Sequence, residues 1–348
     1  MTAFSHPPFR HPGGLRHLAL VLLCALGLAL QGQGAREVVD MAGRRVLVPR
    51  TVERVATLGP VPVINSFVFL FGRGPAIVNG LPEFARNGRF RFQTVFAPSL
   101  LREPSMQGPG REPDLEALLL AAPDVVFTMD RESIAPLERR GLRTVYLCWR
   151  QPEDVQRLIR LMGEVFGQRD RAEDYLRYFS ATLERVRAGV RAIPPARRPR
   201  VLYCNVRRLT QEHLIAEWWI ATAGGLSVTD NGRSAEAFTF SLEQMLAWDP
   251  DILIVSGWDD LKELYRDSRF SRMKAVRRHR VFVAPIGAHL WANRTSEQPL
   301  MLLWAARVIS PKAFPALDLV QEARAFYARY FNYRMSPEEA REILNGTP

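Results

Sequence analysis

The segments DLEALLLAAPDVVF (Asp114 to Phe127) and SLEQMLAWDPDILI (Ser241 to Ile254) carry one pattern twice, 127 residues apart. In each, a capping residue precedes Leu-Glu, apolar residues follow at helical spacing, and Pro-Asp opens a short apolar run. The side-chain oxygens of Asp114 and Ser241 can accept from the free amides of a first helical turn. Pro123 and Pro250 close the helix, and the apolar run that follows suits a strand buried on both faces. Each half of the chain is therefore expected to hold a cap, a helix, a Pro-Asp turn and a buried parallel strand, the repeating unit of an α/β sheet.

Other segments extend the pattern. REVVDMAGRRVLVP (36–49) reads as a hairpin, RVATLGP (54–60) as a strand, and SFVFLFGRG (66–74) as a compact helix ending at glycine. Further strands are expected in TVYLCW (144–149), RVLYCNV (200–206) and RVFVAP (280–285). Between the halves, a stripe of Tyr175, Leu176, Phe179, Leu183, Val186 and Val190 predicts one helix from Arg169 to about Ile193. The expected fold is α/β, with two lobes, each a mainly parallel sheet flanked by helices. One long helix joins the lobes and a ligand cleft lies between them. A single helix is a stiff connection, so the lobes should move little. The divisions follow as a signal over 1–35, an N-terminal lobe over 36–151, a helical region over 152–198, and a C-terminal lobe with closing helices over 199–348.

A chain of 348 residues that is 47% hydrophobic can bury two cores of ordinary size. The formal charge of +11 invites a nucleic-acid reading, but Lys262, Lys274 and Lys312 are the only lysines among 47 basic residues. An arginine excess this evenly spread reads as codon preference, and no basic run interleaved with aromatics occurs, so nucleic acid is not an expected partner. Arg10, His11 and Arg16 precede LALVLLCALGLAL (18–30), and small residues follow in QGQGA. Thirteen apolar residues suit an export signal and are short for a membrane span, so a periplasmic protein cleaved near Gly34 or Ala35 is expected. Cys24 follows Leu23, where a lipoprotein signal wants a small residue, so a lipid tether is the weaker alternative. Cys148 and Cys204 are left either to pair in an oxidising compartment or to remain buried thiols. With no G-x-S-x-G elbow, H-E-x-x-H helix, phosphate loop or dinucleotide fingerprint, no enzyme is expected. A secreted enzyme acting on a metal chelate or tetrapyrrole is kept as the alternative.

The opening VVDMAGRRVLVP with RVATLGP, both Leu-Glu units, GLSVTD (225–230) and the closing LMLLWAARVISPKAFPALDLVQEARAFYARYFNYRMSPEEA occur in an order that resembles a known family. It is that of the exported substrate-binding proteins of ABC importers for iron-siderophore complexes, haem and cobalamin. The resemblance covers essentially the mature chain. It implies capture of an iron complex, a siderophore or related metal chelate, with cobalamin, haem and a nickel chelate as alternatives. The implied partners are an ABC permease with its ATPase and a small-molecule chelate. It also implies that a first-turn glutamate in each lobe, Glu116 and Glu243, docks on an arginine pocket of the permease. A carboxylate there is favoured by the helix dipole and two such charges would orient the approach. No cofactor and no bound structural metal are expected, and the protein should act as a monomer.

In α/β lobes, ligands meet the loops beyond the carboxyl ends of parallel strands. Those loops are rich in tryptophan and arginine, and the ligand-binding candidates are Trp149, Arg150, Arg207 and Trp258, with His289, Trp291 and Arg294 in APIGAHLWANRTSEQP (284–299). Trp218, in the pair EWW, is a further candidate. Aromatic faces suit a flat or greasy chelate, and arginine forks pair with carboxylate, catecholate or phosphate oxygens. Only His213 and His289 lie near these loops, too few for a bare ion.

Overall fold

The computed structural model describes residues 34–150 and 152–346. The expected export signal, Cys24 included, lies outside the described residues apart from Gly34 and Ala35. The chain opens on the antiparallel hairpin β1 (Ala35–Val39) and β2 (Arg45–Pro49), with Gly43 at φ 78° in the turn. Three parallel strands then form the N-terminal sheet, β3 (Val55–Leu58), β4 (Val125–Thr128) and β5 (Thr144–Tyr146), in the order β3-β4-β5. In the C-terminal lobe, β6 (Arg200–Cys204), β8 (Leu226–Ser227), β10 (Ile252–Val255) and β11 (Val281–Val283) make a parallel sheet ordered β11-β10-β6-β8. A small antiparallel ribbon, β7 (Thr210–Gln211) with β9 (Phe238–Thr239), sits beside it. Both α/β lobes are thus present, with β3, β4 and β10 buried along their full length.

The first helix, α1, runs Val61–Leu70, five residues ahead of the expected start at Ser66. Pro62 falls in its first turn, where the missing N–H costs nothing, so prolines that read as loop actually begin the helix. Gly72 then takes φ 64°, a left-handed conformation that ends it. The doubled segments form α2 (Leu115–Ala121) and α6 (Leu242–Trp248). Between them come α3 (Pro152–Phe166), α4 (Arg169–Val190) and α5 (Ile215–Thr222). After them come α7 (Trp258–Arg266), α8 (Gln298–Ile309), α9 (Leu319–Tyr330) and α10 (Pro337–Leu344).

The two repeated units share their local chemistry. The Asp114 carboxylate accepts from the Ala117 amide at 3.0 Å, and Ser241 exchanges bonds with Gln244 in a capping box. Both helices end on a left-handed residue that is not glycine, Ala122 at φ 43° and Asp249 at φ 39°. The Pro-Asp aspartates then pin the neighbouring strand: Asp124 accepts from the amides of Glu53 and Arg54, and Asp251 from that of Arg200. In return, Arg54 donates to the Ala121 carbonyl and Arg200 to the Trp248 carbonyl, each at 3.0 Å. An arginine at the start of the adjacent strand thus satisfies the exposed helix end in both lobes.

The connecting helix α4 has 22 residues, about 33 Å of α-helix. It stops at Val190, short of Ile193, and buries Tyr175, Leu176, Phe179, Val186 and Val190. A single buried apolar cluster runs from α1 through α4 into α5, α8 and α9, so the two lobes share one core. Hydrogen bonds reinforce it: Ser296 donates to the Ser66 carbonyl at 2.7 Å, Gln93 to that of Ala288 at 2.5 Å, and Arg171 to those of Leu70 and Tyr330. Cys148 and Cys204 are free thiols, and burial pushes the Cys204 thiol up. Among the described residues no helix is long and apolar enough to cross a membrane.

Candidate functional site

A cavity of ≈ 500 Å³ is walled by both lobes. Pro60, Met129 and Trp149 follow β3, β4 and β5, while His289, Asn293 and Arg294 come from the loop after β11. Parallel strands all release their chains on the same side, so their ends build one face of each lobe. Trp149 is held edge-on to Phe67 at 5.1 Å and donates its indole N–H to the Arg294 carbonyl at 3.2 Å. That bond ties the two walls together from below.

Three arginines and two glutamates, Glu212 and Glu236, line this cavity. The Arg294 side chain, only 10% exposed, grips Glu236 with both Nη atoms at 3.0 and 2.8 Å. Arg111, which takes φ 71° just ahead of the capped helix α2, and Arg150 also line it. Two imidazoles share the space. Burial, followed by the nearby Arg294 charge, holds His213 below its ordinary range. Burial, with the Arg89 charge next, lowers His289 to about 3. His289 Nδ1 is buried without a partner among the described residues. The cavity can therefore offer the Arg111 and Arg150 guanidinium groups to an anion and imidazole nitrogens to a polar group or a metal's open position.

The loop carrying His289 and Arg294 rests on a buried carboxylate. Glu297 accepts from the Ala288 and His289 amides at 2.7 and 3.0 Å and from the Tyr327 hydroxyl at 2.5 Å. Gly287 is glycine of necessity, because a Cβ there would collide with the Glu297 carboxylate and the Tyr327 oxygen. Burial raises the Glu297 carboxyl to about 7, against the opposing effect of those donors. A folded-state value above the ordinary 4.5 means that the folded protein holds this proton more tightly than the unfolded chain. The associated stability is complete below about pH 4.5 and is lost as pH rises through about 7. In thermal unfolding across that window, the Tm of wild type relative to Glu297→Gln should fall steadily with rising pH. A constant difference would show that Glu297 does not titrate there.

A second cavity of ≈ 470 Å³ opens beside the C-terminal sheet. Arg207 and Trp258 line it, together with Arg89, which reaches over from the N-terminal lobe to donate to the Ser256 carbonyl at 3.1 Å. Asp260 is buried here and spoken for, accepting from the Ser256 hydroxyl at 3.0 Å and the Arg207 amide at 3.1 Å.

The residues expected at the site thus separate into three groups. Trp149, Arg150, His289 and Arg294 meet in the first cavity, and Arg207 and Trp258 in the second. Trp291 and Trp218 line neither of them, and this corrects the sequence reading. Trp291 is 1% exposed in the shared core, its ring beside Gly287, because the loop turns it inward. Trp218 lies edge-on to Phe179 of α4 at 6.4 Å, while the adjacent Trp219 is fully buried and donates to the Ala292 carbonyl. Both tryptophans of α5 therefore serve packing, the second one directly under the cleft loop. Arg89, Arg111 and Glu236 were missed, since each lies in a segment without strand or helix periodicity. A positive φ at a non-glycine residue is a structural signal, invisible in sequence.

Glu116 and Glu243 stand exposed in the first turns of α2 and α6 and line neither cavity. The Glu243 carboxyl is held below the usual range by its own backbone amide and by the Ser241 hydroxyl. Among the described residues no three His, Cys, Asp or Glu side chains gather as a bare metal ion would need.

Comparison with known proteins agrees with this architecture. The sequence profile described as periplasmic binding protein matches residues 96–286, more than half of the chain. A molybdate-binding protein of Haemophilus influenzae is 21% identical over 92% of this chain and 98% of its own. A periplasmic solute binding protein from Veillonella parvula superposes with a TM-score of 0.78 at 26% identity, covering 89% of this chain and 97% of that one. The Helicobacter pylori protein CeuE, solved with Ni(II), gives a TM-score of 0.67 at 14% identity over 88% and 98% of the two chains.

Proposed function

Because this chain belongs to the periplasmic binding protein family, we propose that it is the substrate-binding component of an ABC import system, capturing an anionic iron chelate of siderophore type between its lobes. The observation that carries the ligand class is the ≈ 500 Å³ cavity, in which Arg111, Arg150 and Arg294 surround the Trp149 wall. Its volume suits a whole chelate, and guanidinium forks match carboxylate or catecholate oxygens. The protein is not an enzyme: the profile and the proteins it resembles are solute receptors. On this reading it works as a monomer without a cofactor, and Glu116 and Glu243 present the loaded cleft to the permease and its ATPase.

A second reading, capture of a small oxyanion, is supported by the relative described as molybdate-binding. Titrating the purified protein with ferric hydroxamate, ferric catecholate and molybdate, followed by tryptophan fluorescence and elemental analysis, separates the two. Saturable one-to-one quenching by a ferric chelate supports the first. A response to molybdate alone would replace it with the second, and continuous turnover of a chelate would remove both.

A further inference from the structure

The two cavities are separated by very little. Glu212 lines the first and pairs at 3.4 Å with Arg208, which lines the second. The loop after β11 supplies His289 to one and Ile286 to the other. Phe90 packs against the His289 ring at 5.8 Å, while its neighbour Arg89 bridges to Ser256. The partition is thus a buried loop flanked by long side chains, and of these the Arg208 side chain is 74% exposed. Exposed ion pairs of this kind are worth little and exchange readily for a better partner.

The second cavity is also built to receive something negative. Arg89, Arg207 and Arg208 face Asp259 and Asp260, and Asp260 is already satisfied inside the protein. The Arg207 guanidinium pairs with Asp259 through an exposed contact at 3.2 Å. The indole N–H of Trp258 is buried without an acceptor among the described residues, although buried donors are nearly always paired.

We infer that the two cavities form one bipartite site, the second taking a carboxylate arm of an elongated chelate whose metal centre occupies the first, with Arg89 as the specificity-determining residue between them. This rests on the chelate reading of the preceding subsection. A compact oxyanion would be held within the first cavity and leave Arg89 and Arg207 untouched.

The test uses the full chain and two probes of similar size, a ferric chelate bearing a free carboxylate arm and a ferric trihydroxamate with a neutral periphery. Arg89→Ala and Arg207→Ala should each weaken the carboxylate-armed chelate about tenfold, as loss of one ligand-facing arginine does, and leave the neutral one within about twofold. Arg294→Ala should weaken both. Equal losses for the two chelates in Arg89→Ala would assign that residue to holding the lobes through Ser256 and would overturn the arm subsite. Wild-type affinity for both probes in Arg89→Ala and Arg207→Ala, with Arg294→Ala still impaired, would overturn it while the chelate reading stands. Failure of the wild-type protein to bind either probe would overturn the chelate reading and the bipartite site together.

Discussion

Cells carrying Glu116→Arg together with Glu243→Arg are expected to lose ligand uptake, while the purified double variant binds ligand as the wild type does. Both carboxylates sit in the first turn of a capped helix, where free amides and the helix dipole stabilise negative charge. Both are exposed, and neither lines a cavity. One acidic point per lobe can fix the orientation of a two-lobed receptor on a basic membrane partner, and reversal replaces attraction with repulsion at both points. Each single reversal should leave partial uptake that recovers at higher protein concentration, as a weakened docking affinity does. The two points are not equivalent. Glu116 is followed at helical spacing by Leu119 and Leu120, the latter 81% exposed, whereas the matching position after Glu243 is Ala247. The N-terminal lobe should therefore be the less salt-sensitive of the two contacts. A large loss of ligand affinity in the double variant would place these residues in the cleft and refute the docking role.

Arg294→Ala should weaken ligand binding by between about 10- and 100-fold, or roughly 1.4 to 2.8 kcal/mol. The substitution removes a cation and leaves the Glu236 carboxylate facing the arriving anion without its guanidinium partner. Folding should change little, because the bond to Trp149 uses the backbone carbonyl of Arg294 and survives truncation. Arg294→Lys keeps the charge but not the two-pronged grip on Glu236, and its affinity should fall between wild type and alanine. Isothermal titration with the ligand found by fluorescence gives the comparison. Affinity within twofold of wild type for Arg294→Ala would remove this residue from the site.

Much of the fold was legible before any coordinates. The paired Leu-Glu and Pro-Asp segments placed α2 and β4 in one lobe and α6 and β10 in the other, since caps, helix breakers and short apolar runs act locally. The stripe from Tyr175 to Val190 likewise announced the connecting helix. The misjudged start of α1 has a local cause too, because prolines in a first turn and prolines in a loop look alike in sequence.

The cleft was legible only in part. Strand ends nominate loops, and four of the eight ligand candidates do meet in the first cavity. Loop residues, however, are turned by contacts distant in sequence. Trp291 is drawn inward beside Gly287, Glu297 and Tyr327, while His289, two residues earlier, remains at the wall. Glu236 is held at the cleft by Arg294, 58 positions later, and by the Leu214 amide. By itself the sequence determined two α/β lobes, a stiff helix between them and a matched acidic turn on each, for these follow from interactions within a few residues. Which aromatic and charged side chains face the cleft, and that they lie in two adjoining cavities, was decided by tertiary packing, because a side chain's direction in a loop follows from what the rest of the chain leaves room for.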